Sequence, residues 1–319
     1  MTILCAPILG FSVGLVFTGM SSVIAAPELA EEQLDTTVLI KESSTTQSDE
    51  LLSDPVLARI AETGIVRVGM RLDAAPFGYV DSAGYFAGLC LTFFDFLESE
   101  VRRTLGKTAL LMELHPSTTT NREALIENRT IDLECGPNTI KTETATAANE
   151  PPSVVFSTPF FVTGIQFMVN TETDNEAKTA VERVGALRKT TGVDAAKTFF
   201  PEAELVTFSG VSGRVQGIQA LQQGRVDAFV SDGILLLGLA EQLGLFQEDY
   251  LLLPEIPARC DYYGMLLPPG ASQWENLVNH TLQNPDNRQM LQRRFAPVTR
   301  YQSAIAQHCA WAEMTEEPE

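Results

Sequence analysis

The order strand, helix, strand, helix, strand occurs twice along this chain, and it constrains the fold more than any other feature. In the first unit, alternating apolar residues predict a strand at 65–70, and helical spacing of apolar residues covers 91–105. Strands that alternate with helices form a largely parallel sheet, so the chain is predicted to be an α/β protein. The remaining predicted strands are 110–114, 131–135, 184–187, 205–208 and 226–231, and the remaining helices are 121–128, 193–200, 215–222 and 235–243.

Two extended aromatic segments connect the two units. The first covers 156–164 and leads into a predicted strand at 165–169, and the second covers 260–267 and precedes helices at 274–282 and 286–295. Because ligands of open α/β sheets lie beyond the carboxyl ends of the strands, one ligand is expected in a cleft between two lobes. The predicted division is lobe 1 at 54–162, lobe 2 at 163–259, a return to lobe 1 at 260–300 and a C-terminal tail at 301–319.

Length and charge narrow the class of protein. A chain of 319 residues exceeds the size at which a single hydrophobic core stops growing, which agrees with two lobes. The 41 acidic residues against 22 basic ones give a net charge of −19, which repels nucleic-acid phosphates and acidic lipid surfaces. We therefore expect a soluble body with no nucleic-acid partner.

The first 53 residues are predicted to lie outside the lobes. Residues 3–20 are apolar and rich in small side chains, so 1–25 is predicted to be an export signal, with a membrane anchor as the alternative. The absence of Lys or Arg before the apolar run departs from the usual signal. Residues 26–53 are rich in Glu, Asp, Ser and Thr, which predicts a disordered tether.

Four cysteines remain after removal of the signal, and an exported protein is permitted disulfides. We favour pairing Cys90 with Cys135 and Cys260 with Cys309, although the sequence leaves the connectivity open and buried free thiols are an equal alternative. No cysteine spacing matches a metal knuckle, and neither a metal nor a cofactor is expected.

Several short motifs, in this order and spacing, resemble the polar amino-acid binding proteins of bacterial ABC transporters, the extracellular solute-binding protein family 3. The resemblance covers about 57–295 and implies the type II periplasmic-binding-protein fold, with two lobes joined by two hinge strands. The run 118–122 together with 132–136 is most similar to the glutamate/aspartate-binding branch. The motifs are 64–78 (GIVRVGMRLDAAPFG), 121–122 (NR), 131–136 (IDLECG), 156–164 (FSTPFFVTG), 190–192 (TTG) and 224–232 (GRVDAFVSD).

A zwitterionic ligand needs fixed charges of both signs, because it sheds its water on entering a closed cleft. Arg122, in the first turn of a predicted helix, is our candidate for the ligand carboxylate, and Asp232, at the end of a strand, is our candidate for the ammonium group. An exposed helix arginine and a helix cap are the respective alternatives. Hydroxyl contacts are expected from Thr119, by the resemblance, and from Thr139, Thr190 and Thr191, where a loop residue or a helix cap is the alternative.

The resemblance also implies an acidic ligand. Arg71 stands where the branch binds a side-chain carboxylate, and Arg214 stands where it has another cationic group; surface charge is the alternative for both. Phe77 is the aromatic residue that we expect in the cleft. Three positions depart from the branch and weigh against an acidic ligand: Pro137, Thr144 and Lys189, the last of which replaces a glycine.

The resulting hypothesis is a periplasmic substrate-binding component of an amino-acid ABC transporter, for glutamate, aspartate or a related polar amino acid. It implies a permease in the inner membrane as partner, a monomeric state and no catalytic residue. The alternatives are an enzyme on the same fold, such as a cyclohexadienyl or arogenate dehydratase, and a ligand-sensing module. The enzyme is disfavoured because no nucleophile and base stand together and just three histidines are present.

Overall fold

The computed structural model describes residues 50–140, 152–171, 181–246, 248–257, 259–294, 301 and 305–309. The predicted export signal and most of the predicted tether lie outside these residues, as does Thr144. At the end of the predicted tether, residues 50–53 are helical. Across the described residues, no helix combines the length and the apolar character that crossing a membrane requires.

Strands and helices alternate along the chain in the predicted way. The strands are β1 (Ile65–Arg71), β2 (Asp73–Ala74), β3 (Gly78–Val80), β4 (Phe86–Ala87), β5 (Leu111–Ser117), β6 (Leu133–Thr139), β7 (Val155–Phe156), β8 (Phe161–Asn170), β9 (Arg183–Leu187), β10 (Glu204–Phe208), β11 (Ala228–Asp232), β12 (Tyr250–Leu253) and β13 (Cys260–Leu267). The helices are α1 (Pro55–Thr63), α2 (Leu89–Thr104), α3 (Arg122–Glu127), α4 (Thr191–Phe199), α5 (Gly213–Gln222), α6 (Gly233–Gln242), α7 (Ser272–Gln283) and α8 (Pro285–Arg294).

One mixed sheet runs through the described part of the chain, in the order β10-β9-β11-β8-β13-β6-β1-β5. We call β5, β1, β6 and β13 the first half-sheet, and β8, β11, β9 and β10 the second half-sheet. Within each, the strands of the predicted βα units are parallel, with β1 between β5 and β6 and β9 between β10 and β11. The α/β prediction is therefore confirmed, and the three-stranded sheet β2-β3-β4 is an addition that the sequence did not predict.

The two half-sheets are joined by an antiparallel strand pair. β8 and β13 pair with each other through residues 161–164 and 260–263, while β8 also pairs with β11 and β13 with β6. These are the two extended aromatic segments of the sequence. The two halves are thus connected by a hydrogen-bonded pair of strands, which we call the β8–β13 ribbon.

The largest hydrophobic core surrounds the first half-sheet, and two smaller ones flank the second. Helix α6 contributes to two of them, because Ile234 and Leu235 are buried in the first core while Leu236 and Leu239 are buried in the second. β6 and β11 are buried along nearly their whole length, as expected for strands covered on both faces. The site residues at the ends of these strands therefore stand on rigid supports.

Asp54 begins two helices. Its Oδ1 accepts hydrogen bonds from the Val56 and Leu57 amides in the first turn of α1, which is ordinary N-capping. Its Oδ2 accepts from the Gln273 and Trp274 amides at the start of α7. A single carboxylate thereby ties the beginning of the first half-sheet region to the segment that returns to it near the end of the chain.

Two disulfides join the pairs that we favoured. Cys90, in α2, is bonded to Cys135, in β6, and Cys260, at the start of β13, is bonded to Cys309. The second bond fixes the helical residues 305–309, which belong to the predicted tail, against the β8–β13 ribbon, where Ile305 is buried with Val162. The C-terminal part of the chain is therefore packed against the connection between the halves.

Candidate ligand-binding site

Arg71 ends β1 with a completely buried side chain. Its Nε donates to Oδ1 of Asp73 at 2.8 Å and its Nη2 donates to Oδ2 at 2.9 Å, which is a two-pronged ion pair. Gly136 lets the side chain pass, because a Cβ there would lie 2.8 Å from both Cγ of Arg71 and Oε1 of Glu134. Nη1 of Arg71 is buried without a hydrogen-bond partner in the described part of the chain.

Arg122 is the first residue of α3 and is half-buried. Its Nη1 donates to Oδ1 of Asn138 at 2.7 Å, while Nε is buried and lacks a partner among the described residues. Asn138 donates in turn to Glu134, whose other oxygen accepts from Ser117. Burial, followed by the charge of Arg71, lowers the pKa of Arg122, which places these two guanidinium groups in one electrostatic environment.

Arg214 enters from the second half, in the first turn of α5, and is 3% exposed. Its Nη1 donates to Oγ of Ser231 at 2.6 Å, and its Nε lies 3.7 Å from Oδ2 of Asp73. Burial lowers the pKa of Arg214, and the neighbouring Asp73 and Asp232 oppose that change. The guanidinium is therefore held between carboxylates of both halves.

Asp232 stands at the end of β11 and at the N-cap position of α6, yet its side chain caps no amide of that helix. Its Oδ1 is buried without a hydrogen-bond partner in the described residues. Burial raises the pKa of Asp232, and Tyr263 and Arg214 oppose the rise. The Tyr263 hydroxyl makes no hydrogen bond of ordinary geometry with a described residue, although it lies close enough to Asp232 for each group to shift the pKa of the other.

A second carboxyl adjoins Asp232. Asp261, in β13, has its pKa raised to about 7, first by burial and then by the charge of Asp232. Oδ1 of Asp261 pairs with Arg259 at 3.3 Å, and Oδ2 is buried without a partner in the described chain. Two carboxyl groups that influence each other's pKa therefore lie together at the end of β11.

The predicted threonines occupy the strand and helix ends of both halves. Thr119 is buried, and its Oγ1 donates across the cleft to the Arg188 carbonyl at 3.1 Å. Thr190 occupies the N-cap position of α4, but its hydroxyl donates to the Leu187 carbonyl and does not cap the helix. Thr191 begins α4, and Thr139 ends β6, where it is opposite Tyr263.

Lys189 stands where the glutamate/aspartate-binding branch has a glycine, and its backbone is in the left-handed region. Lys189 has φ 57°, a conformation that glycine adopts more easily than any other residue. The lysine therefore keeps the backbone shape of the Thr-Thr turn at some conformational cost. It projects an exposed side chain.

Phe77 is completely buried, and its ring meets those of Phe160, Phe161 and Tyr263 edge-on at centroid distances of 6.0, 5.0 and 5.4 Å. Because Tyr263 also adjoins Asp232, this aromatic cluster forms an apolar wall behind the charged groups. That Phe77 contacts a ligand directly stays a prediction.

Several contacts among the described residues join the two halves in addition to the strand ribbon. They include the ion pair of Arg214 with Asp73, the hydrogen bond from Thr119 to Arg188, a hydrogen bond from Gln242 to the Val80 carbonyl, and the approach of Gly238 to Ala75. The fold brings Arg71, Arg122, Arg214 and Asp232 into one charged cluster. Asp73, Asn138 and Ser231, which sequence reasoning did not assign to the site, hold the three arginines in place.

Curated relatives give the chemistry a context. The glutamate/aspartate import solute-binding protein of Escherichia coli K12 is 26% identical over 229 residues, covering 71% of this chain and 73% of the relative. The glutamate-binding protein GluB of Corynebacterium glutamicum is 26% identical over 273 residues, covering 84% and 85%. This chain is a homologue of these solute-binding proteins. No protein-family model matches it.

Solved structures identify the fold of this homologue as that of the type II periplasmic amino-acid-binding proteins. The solute receptor for L-cysteine of Neisseria gonorrhoeae has a TM-score of 0.62 at 21% identity, covering 76% of this chain and 94% of the receptor. An L-arginine-bound amino acid ABC transporter substrate-binding protein from Streptococcus pneumoniae has 0.61 at 20%, covering 77% and 98%. An ancestral amino acid-binding protein, described as a precursor of cyclohexadienyl dehydratase, has 0.59 at 21%, covering 75% and 97%.

Proposed function

We propose that this protein is the periplasmic substrate-binding component of an ABC importer for a polar amino acid of the glutamate/aspartate group or a close relative. The observation that carries the proposal is the buried Oδ1 of Asp232, which makes no hydrogen bond of ordinary geometry with any described residue and lies in one cluster with three arginines. A buried carboxylate without a partner is costly, and an ammonium group would relieve that cost. Arg71, Arg122 and Arg214 each have a nitrogen that lacks a hydrogen-bond partner among the described residues, and these nitrogens would serve a ligand carboxylate in the same way.

In this mechanism the amino acid joins the two halves. Arg122 and Thr139 hold it on the first half, and Asp232 with Thr190 and Thr191 favours closure from the second half. A ligand that binds the closed form better than the open one shifts the population towards closure. A permease in the inner membrane then binds the closed form. The names of the curated relatives support this assignment, and the export and monomeric state of the chain belong to the same proposal.

A thermal-shift screen of the common amino acids on the ligand-stripped chain tests the proposal. A ligand present at 100 times its dissociation constant adds about 2.7 kcal/mol to the free energy of unfolding, which raises the melting temperature measurably. We expect stabilisation by a few polar amino acids. If every amino acid leaves the melting temperature unchanged, the proposed function is wrong.

Calorimetry on Asp232→Asn tests the site itself. The substitution keeps the shape and removes the charge that we assign to the ammonium group, so affinity should fall by about 2–5 kcal/mol, which is roughly 30-fold or more. Glu241→Gln, an exposed position on α6, is the matched control and should bind as the parent does. Unchanged affinity in Asp232→Asn would remove this residue from the site.

An enzymatic function is the second candidate, and the carboxyl pair of Asp232 and Asp261 is the observation that favours it. A carboxyl with a pKa of about 7 suits general acid catalysis, and one structural neighbour is described as a precursor of a dehydratase. Incubation of the purified protein with a cyclohexadienyl acid and chromatography of the mixture separate the two: a binding protein returns the acid unchanged.

A further inference from the structure

Asp73 is shared by two buried arginines from opposite halves of the molecule. It engages Arg71 of the first half through two hydrogen bonds, and its Oδ2 lies 3.7 Å from Nε of Arg214 of the second half. The three side chains are between 0% and 5% exposed, so solvent hardly screens them. The family resemblance associates Arg71 with a ligand's side-chain carboxylate and places another cationic group at the position of Arg214.

The charges of the cluster balance before any ligand enters. Arg71, Arg122 and Arg214 supply three positive charges, and Asp73, Glu134 and Asp232 supply three negative ones. Asp261 has its own partner in Arg259. An amino acid with a neutral side chain adds no net charge, whereas a dicarboxylic amino acid would add one negative charge that no described cationic group of this cluster is left to neutralise.

The hydrogen-bonding groups beside Asp73 are of two kinds. Nη1 of Arg71 is an unused donor, and the carboxylate of Asp73 has acceptor capacity beyond the two bonds from Arg71. A carboxamide matches this pair, because its oxygen accepts while its amino group donates. A carboxylate could accept from Nη1, but its second oxygen would face the carboxylate of Asp73.

We propose that Asp73 is a specificity-determining residue that directs the site towards amino acids with a carboxamide side chain and against dicarboxylic ones. The inference rests on the proposed function and narrows its substrate class. Asp73 occupies the arginines that would otherwise receive a second ligand carboxylate. The repulsive element is internal to the protein, which is a common way to reject a close analogue.

Isothermal titration of the ligand-stripped chain with L-glutamine, L-asparagine, L-glutamate and L-aspartate tests the proposal. The parent protein should bind one amide at least about tenfold more tightly than the corresponding acid. Asp73→Asn, which keeps the shape and removes the charge, should raise affinity for the acid and narrow or reverse the ratio. Asp95→Asn, an exposed position on α2, removes one negative charge elsewhere and should keep the parent ratio.

The outcomes separate the two proposals. If the parent binds the acid as tightly as the amide, the inference is overturned while the proposed function stands. The same holds if Asp73→Asn binds with the parent ratio. If neither protein binds any amino acid, the proposed function fails, and the inference fails with it. Should Asp73→Asn not fold, the parent ratio and the variant Asp73→Ser decide the matter.

Discussion

Nε of Arg214 lies 3.7 Å from Oδ2 of Asp73, and this ion pair links the two halves of the molecule across the cleft. Both side chains are buried, and each also has a partner in its own half, Ser231 for the arginine and Arg71 for the aspartate. The charged groups at this boundary therefore come from both halves.

Arg214→Met should weaken ligand binding more than it changes the stability of the free protein. The variant loses a cation of the cluster and the contact with Asp73, so affinity should fall by about 2–3 kcal/mol, roughly 30- to 150-fold. Stability changes less, because Asp73 keeps its two hydrogen bonds from Arg71 and is not left as an unpaired buried charge. Calorimetry and thermal melting measure the two effects. Arg225→Met, an exposed position in the same half, is the control, and equal affinity in both variants would contradict the assignment.

Gly238→Ala should oppose closure. A Cβ at this position of α6 would lie 2.4 Å from the backbone oxygen of Ala75, which belongs to the other half. Overpacking of this kind costs about 1–3 kcal/mol, and the cost falls on the closed form, so ligand affinity should drop by about tenfold or more. Glu241→Ala, exposed on the same helix, isolates the effect of helix propensity. Titration of both variants checks the prediction, and parent affinity in Gly238→Ala would show that closure does not need this approach.

Replacing the disulfide partners Cys90 and Cys135 by serine should destabilise the fold. The bond closes a segment with a separation of 45 residues between α2 and β6, and removal of such a bond typically costs about 2–4 kcal/mol. Urea denaturation of the double variant measures the loss, and the parent protein treated with reductant provides an independent comparison. Equal midpoints before and after reduction would refute the prediction.

The buried carboxyl of Asp261 should make stability depend on pH. Its pKa rises from 3.8 to about 7 on folding, so the folded state holds more protons than the unfolded state between these values. The contribution of Asp261 to stability is therefore fully present below about pH 4 and decreases as the pH rises to about 7, by up to about 1.4 kcal/mol per unit. Asp261→Asn should show a smaller decrease in a series of urea denaturations, while Glu255→Gln, exposed, should follow the parent. If the free energy of unfolding changes by the same amount between pH 5 and pH 7 in the parent and in Asp261→Asn, Asp261 does not make this contribution.

The strands and helices were predictable because their apolar periodicity records burial. The predicted strands at 131–135 and 226–231 overlap β6 and β11, and the order of the elements predicted parallel pairing. Asp232 ends β11 and Arg71 ends β1, and the fold brings both into the charged cluster. What periodicity cannot encode is the small sheet β2-β3-β4, whose strands are two or three residues long.

The partners of the charged side chains were not predictable. Asp73 stands two residues after Arg71, a spacing that usually places side chains on the same face of a strand, but its contact with Arg214 exists only after the halves meet. Asp232 was weighed as a helix cap, and it occupies that position while its carboxylate turns elsewhere. Such choices depend on rotamers and on contacts between distant segments, which no local pattern specifies.

The shared capping of α1 and α7 by Asp54 bears on the order in which the two halves become complete during synthesis. Gln273, whose amide bonds this carboxylate, is 219 residues further along. The strands β8 to β12 all come from 161–253, so the second half-sheet has its parts once ribosomal synthesis reaches that point. The first half-sheet still lacks β13 and the helix that shares its cap, so during translation the later-encoded half is complete before the earlier one.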